Sequence, residues 1–235
     1  MSLNTKKSPT NTPRGNKHTG RLPRADGDNT RQQIIETAGQ LFADLGYMGT
    51  TSKLICEECG CNVAAVNYHF GSRDGLYSSV LIESHSRLIG FNTLLAISNS
   101  SDDSRAKLSR VLDTLIDGID ANQWHSRLFI REIMAPSVHI EAMINSEALP
   151  KLSLLKTLLS DITGLDPKDP QMSLTLLSTV APCMLLLVGN RDNLSKVLGN
   201  FWEDKAALKV HLKSFLFAGL DHLAAQRQNI TKNHA

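Results

Sequence analysis

Cys56, Cys59 and Cys61 lie within six residues of one another, and His69 follows eight residues later. Cysteine and histidine are good zinc ligands, and neighbouring thiols can also exchange electrons, so this cluster raises metal or thiol sensing. His125 and Glu132, two helical turns apart, have the types of an acid–base pair. No nucleophile motif, phosphate loop or metal motif accompanies them, so no catalytic residue, metal ligand or cofactor is assigned, and an enzyme remains a remote alternative. The stretch from Gly60 to Tyr77, GCNVAAVNYHFGSRDGLY, carries a different chemistry. Val63 and Ala64 are small enough to bring a helix front close to base edges, and they suit a thymine methyl. Asn67 can bond an adenine edge with both polar atoms. No Arg or Lys in that helix is placed to read guanine, so a half-site core biased to A and T is expected.

These residues need helices to present them. Ile34, Ile35, Ala38, Leu41, Phe42 and Leu45 recur at helical spacing from Thr30 onward, with Asn29 and Gln32 as a capping box and Gly46 as the closing glycine. A second helix runs from the Thr50-Thr51 cap to Cys59, with Leu54 and Ile55 inward, and Gly60 ends it. Asn62 caps a third helix to about Phe70, with Val63, Ala64 and Asn67 outward and Val66 and Phe70 toward the core. Ser72 caps a fourth, with Asp74 in its first turn. Two helices joined by a tight glycine turn, with another packed behind, make a helix-turn-helix whose second helix enters a DNA major groove. Helical periodicity continues over about 74–97, 104–121, 124–135, 138–163, 171–189 and 204–227, interrupted by Pro136, Pro150, Pro167 and Pro170. The fold class is all-α.

Of the 235 residues, 1–29 are rich in Pro, Gly, Asn, Thr and Lys and read as a disordered arm. Residues 1–25 carry net charge +6, residues 26–79 net −4, and the remainder is neutral. Phosphate neutralisation supplies much of DNA affinity, so the acidic helix-turn-helix needs the arm, with Arg21 and Arg24 as its nearest basic residues. The domain plan is a basic arm over 1–29, a DNA-binding domain over 30–79, a helical domain over 80–228 and a tail over 229–235. No signal-peptide run stands near the start, and the apolar run from Leu174 to Val188 reads as a buried helix too short for a bilayer. A cytoplasmic protein with no membrane partner is expected, in a reducing compartment that suits its four cysteines.

The segment from Thr30 to Leu76 resembles the DNA-binding domain of the tetracycline-repressor (TetR) family. The likeness rests on Phe42, Gly46, Thr50-Thr51, Gly60, the Tyr68-His69-Phe70 triplet, and Ser72-Arg73-Asp74 followed by Leu76. It implies a homodimer, a palindromic double-stranded DNA operator, and a C-terminal domain whose small-molecule effector releases the DNA. It also implies base or groove-wall contacts for Val63, Ala64, Ala65 and Asn67, and phosphate contacts for Tyr68 and His69. Thr51 and Asn62 sit at the same interface, and Arg73 takes the position of the family's phosphate-binding lysine. Cys61 and Asn62 depart from the commoner valine and serine or threonine. In the family-like register the cysteines fill small core-facing positions, which favours packing over sensing; a metal- or thiol-responsive regulator using Cys56, Cys59 and Cys61 is the alternative.

Residues Arg127 to Ser137 resemble the C-terminal domain of one regulator subfamily. Trp124, Arg127, Phe129, Arg131 and Met134 are therefore the candidate effector-binding residues, buried polar groups beside aromatics being suitable anchors. The apolar helix Met172 to Val188 and the last helix, Ala206 to Leu223, match the family's dimer-forming bundle, and Pro182 should kink or shorten the first of these. The expected protein is a ligand-responsive, dimeric transcriptional regulator acting as a repressor, with its effector unknown.

Overall fold

The computed structural model describes residues 23–119, 123–189 and 191–233. Among them the regular elements are all helical. Helix α1 spans Pro23–Gly49 and starts seven residues before the expected Thr30. Proline suits a first helical turn, where its missing amide has no partner to lose, so the helix reaches back past the Asn29–Gln32 box. Gln32 donates instead to Glu36, at 3.1 Å. Of the arm expected to be disordered over 1–29, residues 23–29 are helical, and 1–22 lie outside the described residues. Gly46, at φ 73° and ψ 173°, breaks the helical path where a closing glycine was expected.

Short capped helices follow. Thr51 Oγ1 accepts the Leu54 amide at 3.1 Å and starts α2 (Ser52–Cys59), which Gly60 closes at φ 67°. Asn62 Oδ1 accepts the Ala65 amide at 2.9 Å and starts α3 (Val63–Phe70); Ser72 Oγ accepts that of Gly75 at 3.1 Å and starts α4 (Arg73–Leu88). Each such cap contributes about 1 kcal/mol, which helps eight-residue helices that could not stand alone. Thr50, expected beside Thr51 in the cap, is instead fully buried, with its hydroxyl 2.9 Å from the Gly46 carbonyl and 3.1 Å from that of Leu41. Behind α2 and α3, the buried Ile34, Ala38, Phe42, Ile55, Val66 and Leu76 form one core.

The expected helix over 74–97 is two: α4 ends at Leu88, Gly90 is extended, and α5 runs Phe91–Ser98. Then come α6 (Ser104–Gly118), α7 (Trp124–Met134) and a short α8 (Ile140–Met143). A π-helical turn, Ile144–Ala148, joins α8 to α9 (Leu149–Thr163). Pro150 does not interrupt the chain, because it falls in the first turn of α9. Helix α10 (Pro170–Val188) runs through Pro182 without the expected shortening. Pro182 has no amide to give the Ser178 carbonyl, and both residues border a cavity where that acceptor is not sealed in apolar core. Helix α11 (Arg191–Leu198) was not apparent from periodicity. Helix α12 (Lys205–Asn233) continues through most of the expected tail. Helix α10 is apolar enough over Pro170–Leu187 to meet a membrane-span criterion, but it packs among α6, α9 and α12.

Candidate DNA-binding face and effector cavity

On α3 the side chains divide as the alternation of its helix demands. Val63, Ala64, Asn67 and Tyr68 are exposed, Tyr68 by 84%, whereas Val66 is completely buried. Exposed Val63 and Tyr68 place apolar surface on a short helix that no described residue covers in front, unlike the usual polar outer face of a helix. Asn62 and Thr51 are also exposed on this side, each spending its side-chain oxygen on a cap. Ala65 and His69 are partly buried, and the His69 ring packs edge-on to Tyr68 with centroids 5.0 Å apart.

Arg73 is held by the domain itself. Its Nη1 donates to the Thr50 carbonyl at 2.9 Å, and its guanidinium lies 4.2 Å from the centre of the Tyr47 ring. The Tyr47 hydroxyl in turn donates to Asp74. Arg21 lies outside the described residues, and only the backbone of Arg24 is described, in the first turn of α1.

The candidate effector residues of α7 meet the first helix instead of surrounding a pocket. Trp124 is buried and its Nε1 donates to Glu36 at 2.9 Å. Arg87 of α4 pairs with the same carboxylate and lies 5.0 Å from the centre of the Trp124 ring. Burial alone would raise the pKa of Glu36, but its hydrogen bonds to Arg87 and Trp124 outweigh that and hold it below the usual range. Arg127 donates to Asp44 at 2.5 Å and to Gln40 at 3.2 Å, and Arg131 to the Ala43 carbonyl at 3.1 Å. Phe129 is buried with its ring 5.5 Å from that of His85, and Met134 is exposed. These five residues thus divide among the α1 contact, the core and the surface.

Below them Glu132, 2% exposed, accepts from the Tyr77 hydroxyl at 2.5 Å and from the amide and hydroxyl of Ser137 at 3.1 and 2.9 Å. Burial and this carboxylate push the Tyr77 phenol far up, so it stays a donor. The Glu132 carboxylate is thus spent on Tyr77 and Ser137, and no hydrogen bond between it and His125 is among those described. Glycine at position 39 admits this packing, since a Cβ there would lie 2.6 Å from the Trp124 ring. Sequence patterning does not mark Glu36 or Arg87, and the one signal for Gly39 is a glycine inside an apolar helical face.

A cavity of about 390 Å³ opens between α6, α10 and α12. Leu112 and Ile116 form its floor, and Leu174, Thr175, Pro182, Leu212, Phe215, Gly219 and Leu220 are among its walls. Thr175 and Thr179 donate their hydroxyls to carbonyls one turn back, at 2.9 and 2.8 Å, and so offer the cavity their methyl groups. Its lining is apolar as a result. None of the five expected effector residues lines it.

Residues 34–80 match the bacterial regulatory proteins of the tetR family, and residues 104–220 match the C-terminal domain of the HTH-type transcriptional dual regulator CecR. The chain belongs to the tetR family of bacterial transcriptional regulators. It is 22% identical over 136 residues to the probable HTH-type transcriptional regulator YttP of Bacillus subtilis, an alignment covering 57% of this chain and 64% of that protein. It is 27% identical over 137 residues to the HTH-type transcriptional activator FasR of Mycolicibacterium smegmatis, covering 57% and 60%. The chain thus spans somewhat less than two thirds of these curated relatives. The crystal structure of Bacillus subtilis FadR in complex with stearoyl-CoA shares the fold, with a TM-score of 0.62 at 16% identity over 80% of this chain and 98% of that one.

Proposed function

We propose that the protein is a cytoplasmic, homodimeric repressor that binds a palindromic operator through α3 and is released from it by an apolar effector. The observation that carries this reading is the exposed Val63, Ala64, Asn67 and Tyr68 face of a helix capped at both ends and backed by a continuous core. Asn67 reads an adenine edge, Val63 and Ala64 meet thymine methyls, and Tyr68 reaches the phosphates. Thr51, Asn62 and His69 border the groove. Arg73 supports the corner between α1 and α2, and reaches a phosphate only by giving up its hydrogen bond to Thr50. The basic arm, with Arg21 and Arg24, supplies the phosphate neutralisation that the acidic 26–79 segment lacks.

The effector occupies the α6, α10 and α12 cavity. Its walls favour an apolar body, and the Ser178 carbonyl opposite Pro182 can receive one donor. Leu174, Leu177, Ala181 and Leu185 of α10 form an exposed stripe at helical spacing, and Val210 and Phe215 of α12 are exposed as well. A second copy covers these residues and closes the cavity mouth, where Leu174 and Phe215 stand. Helix α7 carries the effector's influence to α1 through Trp124, Arg127 and Arg131. Effector and operator then weaken each other's binding by the same factor.

Retention of sheared genomic DNA tests the DNA-binding reading. The full-length protein should retain fragments that the Asn67→Ala/Tyr68→Ala variant does not, at equal helicity by circular dichroism. Equal retention by the two proteins would refute it.

A further inference from the structure

Two thiols at the turn between α2 and α3 are held against each other. Cys59 ends α2, Cys61 follows Gly60, and their sulfur atoms are 2.6 Å apart. That is closer than an ordinary non-bonded sulfur contact, though still longer than the ~2.05 Å of a disulfide. The turn is fixed from several sides: the Gly60 and Cys61 amides both donate to the Cys56 carbonyl, and Gln33 of α1 donates to the Cys59 carbonyl at 3.0 Å. Cys59 is 7% exposed and Cys61 half-buried, so one accessible sulfur is backed by a protected one.

Zinc does not suit the site. Among the described residues no three Cys, His, Asp or Glu side chains are grouped to hold a metal ion, and the His69 ring is packed between Tyr68 and Phe70. A tetrahedral ion needs four ligands, whereas the groups that meet Cys61 here are the Cys59 and Cys56 thiols alone.

We propose that Cys59 and Cys61 form a reversible disulfide when the protein meets a small hydroperoxide, and that this bond weakens DNA binding. The Cys61 sulfur attacks the terminal peroxide oxygen, an S–O bond forms, the O–O bond breaks, and the alcohol leaves with a proton. The Cys59 sulfur then attacks the sulfenic sulfur; the S–S bond forms, the S–O bond breaks, and water departs. Two thiols are oxidised by two electrons and the hydroperoxide is reduced to alcohol and water. Burial and the neighbouring thiols push Cys61 up to about 12, which keeps it protonated at neutral pH and makes its attack slow, so the reaction requires excess hydroperoxide.

The new bond requires a C–S–S–C torsion near ±90°, which Cys61 reaches by moving. The next residue is Asn62, the cap of α3, so the DNA-reading helix shifts with it. This consequence rests on the proposed DNA-binding role, whereas formation of the bond does not.

The test treats the full-length protein with tert-butyl hydroperoxide, unfolds it, alkylates the remaining thiols and maps them by mass spectrometry. The expected product has Cys59 linked to Cys61 and Cys56 and Cys183 alkylated, and dithiothreitol reverses it. Retention of sheared genomic DNA should fall by about tenfold on oxidation and recover on reduction. A Cys61→Ser variant of unchanged helicity should keep its retention under peroxide. Four alkylated thiols after peroxide would overturn the dithiol assignment, and undiminished retention by the disulfide form would overturn its control of DNA. If the reduced protein retains no DNA at all, the regulator reading fails while the thiol map still decides the dithiol.

Discussion

In the proposed reading single residues of α3 carry the recognition chemistry, and their contributions can be separated. An asparagine that pairs with an adenine edge discriminates by about 1–3 kcal/mol per base pair. Asn67→Ala should therefore weaken binding to a preferred site by about 5- to 150-fold and relax the sequence preference at one position, as read by competition binding. A different test concerns His85, which faces Lys151 Nζ at 3.1 Å and Glu147 at 4.0 Å between α4 and α9. Burial, and then the Lys151 charge, lower His85 from 6.5 to about 4. The folded protein thus resists a proton that the unfolded chain accepts. Stability from this residue is complete above pH 6.5 and is lost as pH falls toward 4, by up to about 3 kcal/mol. In His85→Gln the loss of melting temperature between pH 7 and pH 4.5 should be smaller than in the native protein; an equal loss would contradict this account.

At the scale of elements, close packing rather than propensity decides two glycines. Ala in place of Gly in a helix ordinarily gains about 0.5–1 kcal/mol. At Gly219 nothing lies within 4 Å of an added Cβ, so Gly219→Ala should stabilise α12 by that amount. At Gly39 the added carbon meets the Trp124 ring at 2.6 Å, and overpacking of this kind costs about 1–3 kcal/mol, enough to reverse the sign. Thermal melts of the two variants should move in opposite directions. The helix-turn-helix was legible in the sequence because its signals are local: Thr51, Asn62 and Ser72 cap, Gly60 turns, and Val66 keeps helical spacing with Phe70. What lay beyond reach was relative placement. Trp124, Arg127 and Arg131 have the composition of a ligand site, yet the face of α7 that bears them packs on α1, and only the tertiary fold fixes that direction. Pro182 and Gly219 are poor helix formers whose positions make sense once α6, α10 and α12 surround a cavity.

For the whole molecule the charge distribution matters most. A helix-turn-helix of net −4 behind an arm of net +6 implies that the arm provides much of the salt-sensitive affinity. Removing residues 1–25 should weaken DNA binding and reduce the slope of log K against log salt by about 0.9 for each phosphate that the arm neutralises; an unchanged slope would reject the arm's role. In the proposed dimer, a second copy joined at the exposed apolar residues of α10 and α12 would place two α3 helices on one face of DNA. The most direct measurement is selection of genomic fragments by the purified full-length protein, followed by sequencing of what it retains. The account predicts a recurrent inverted repeat with an A·T-biased core in each half-site. Retention without any shared sequence, or no retention at low salt, would contradict it.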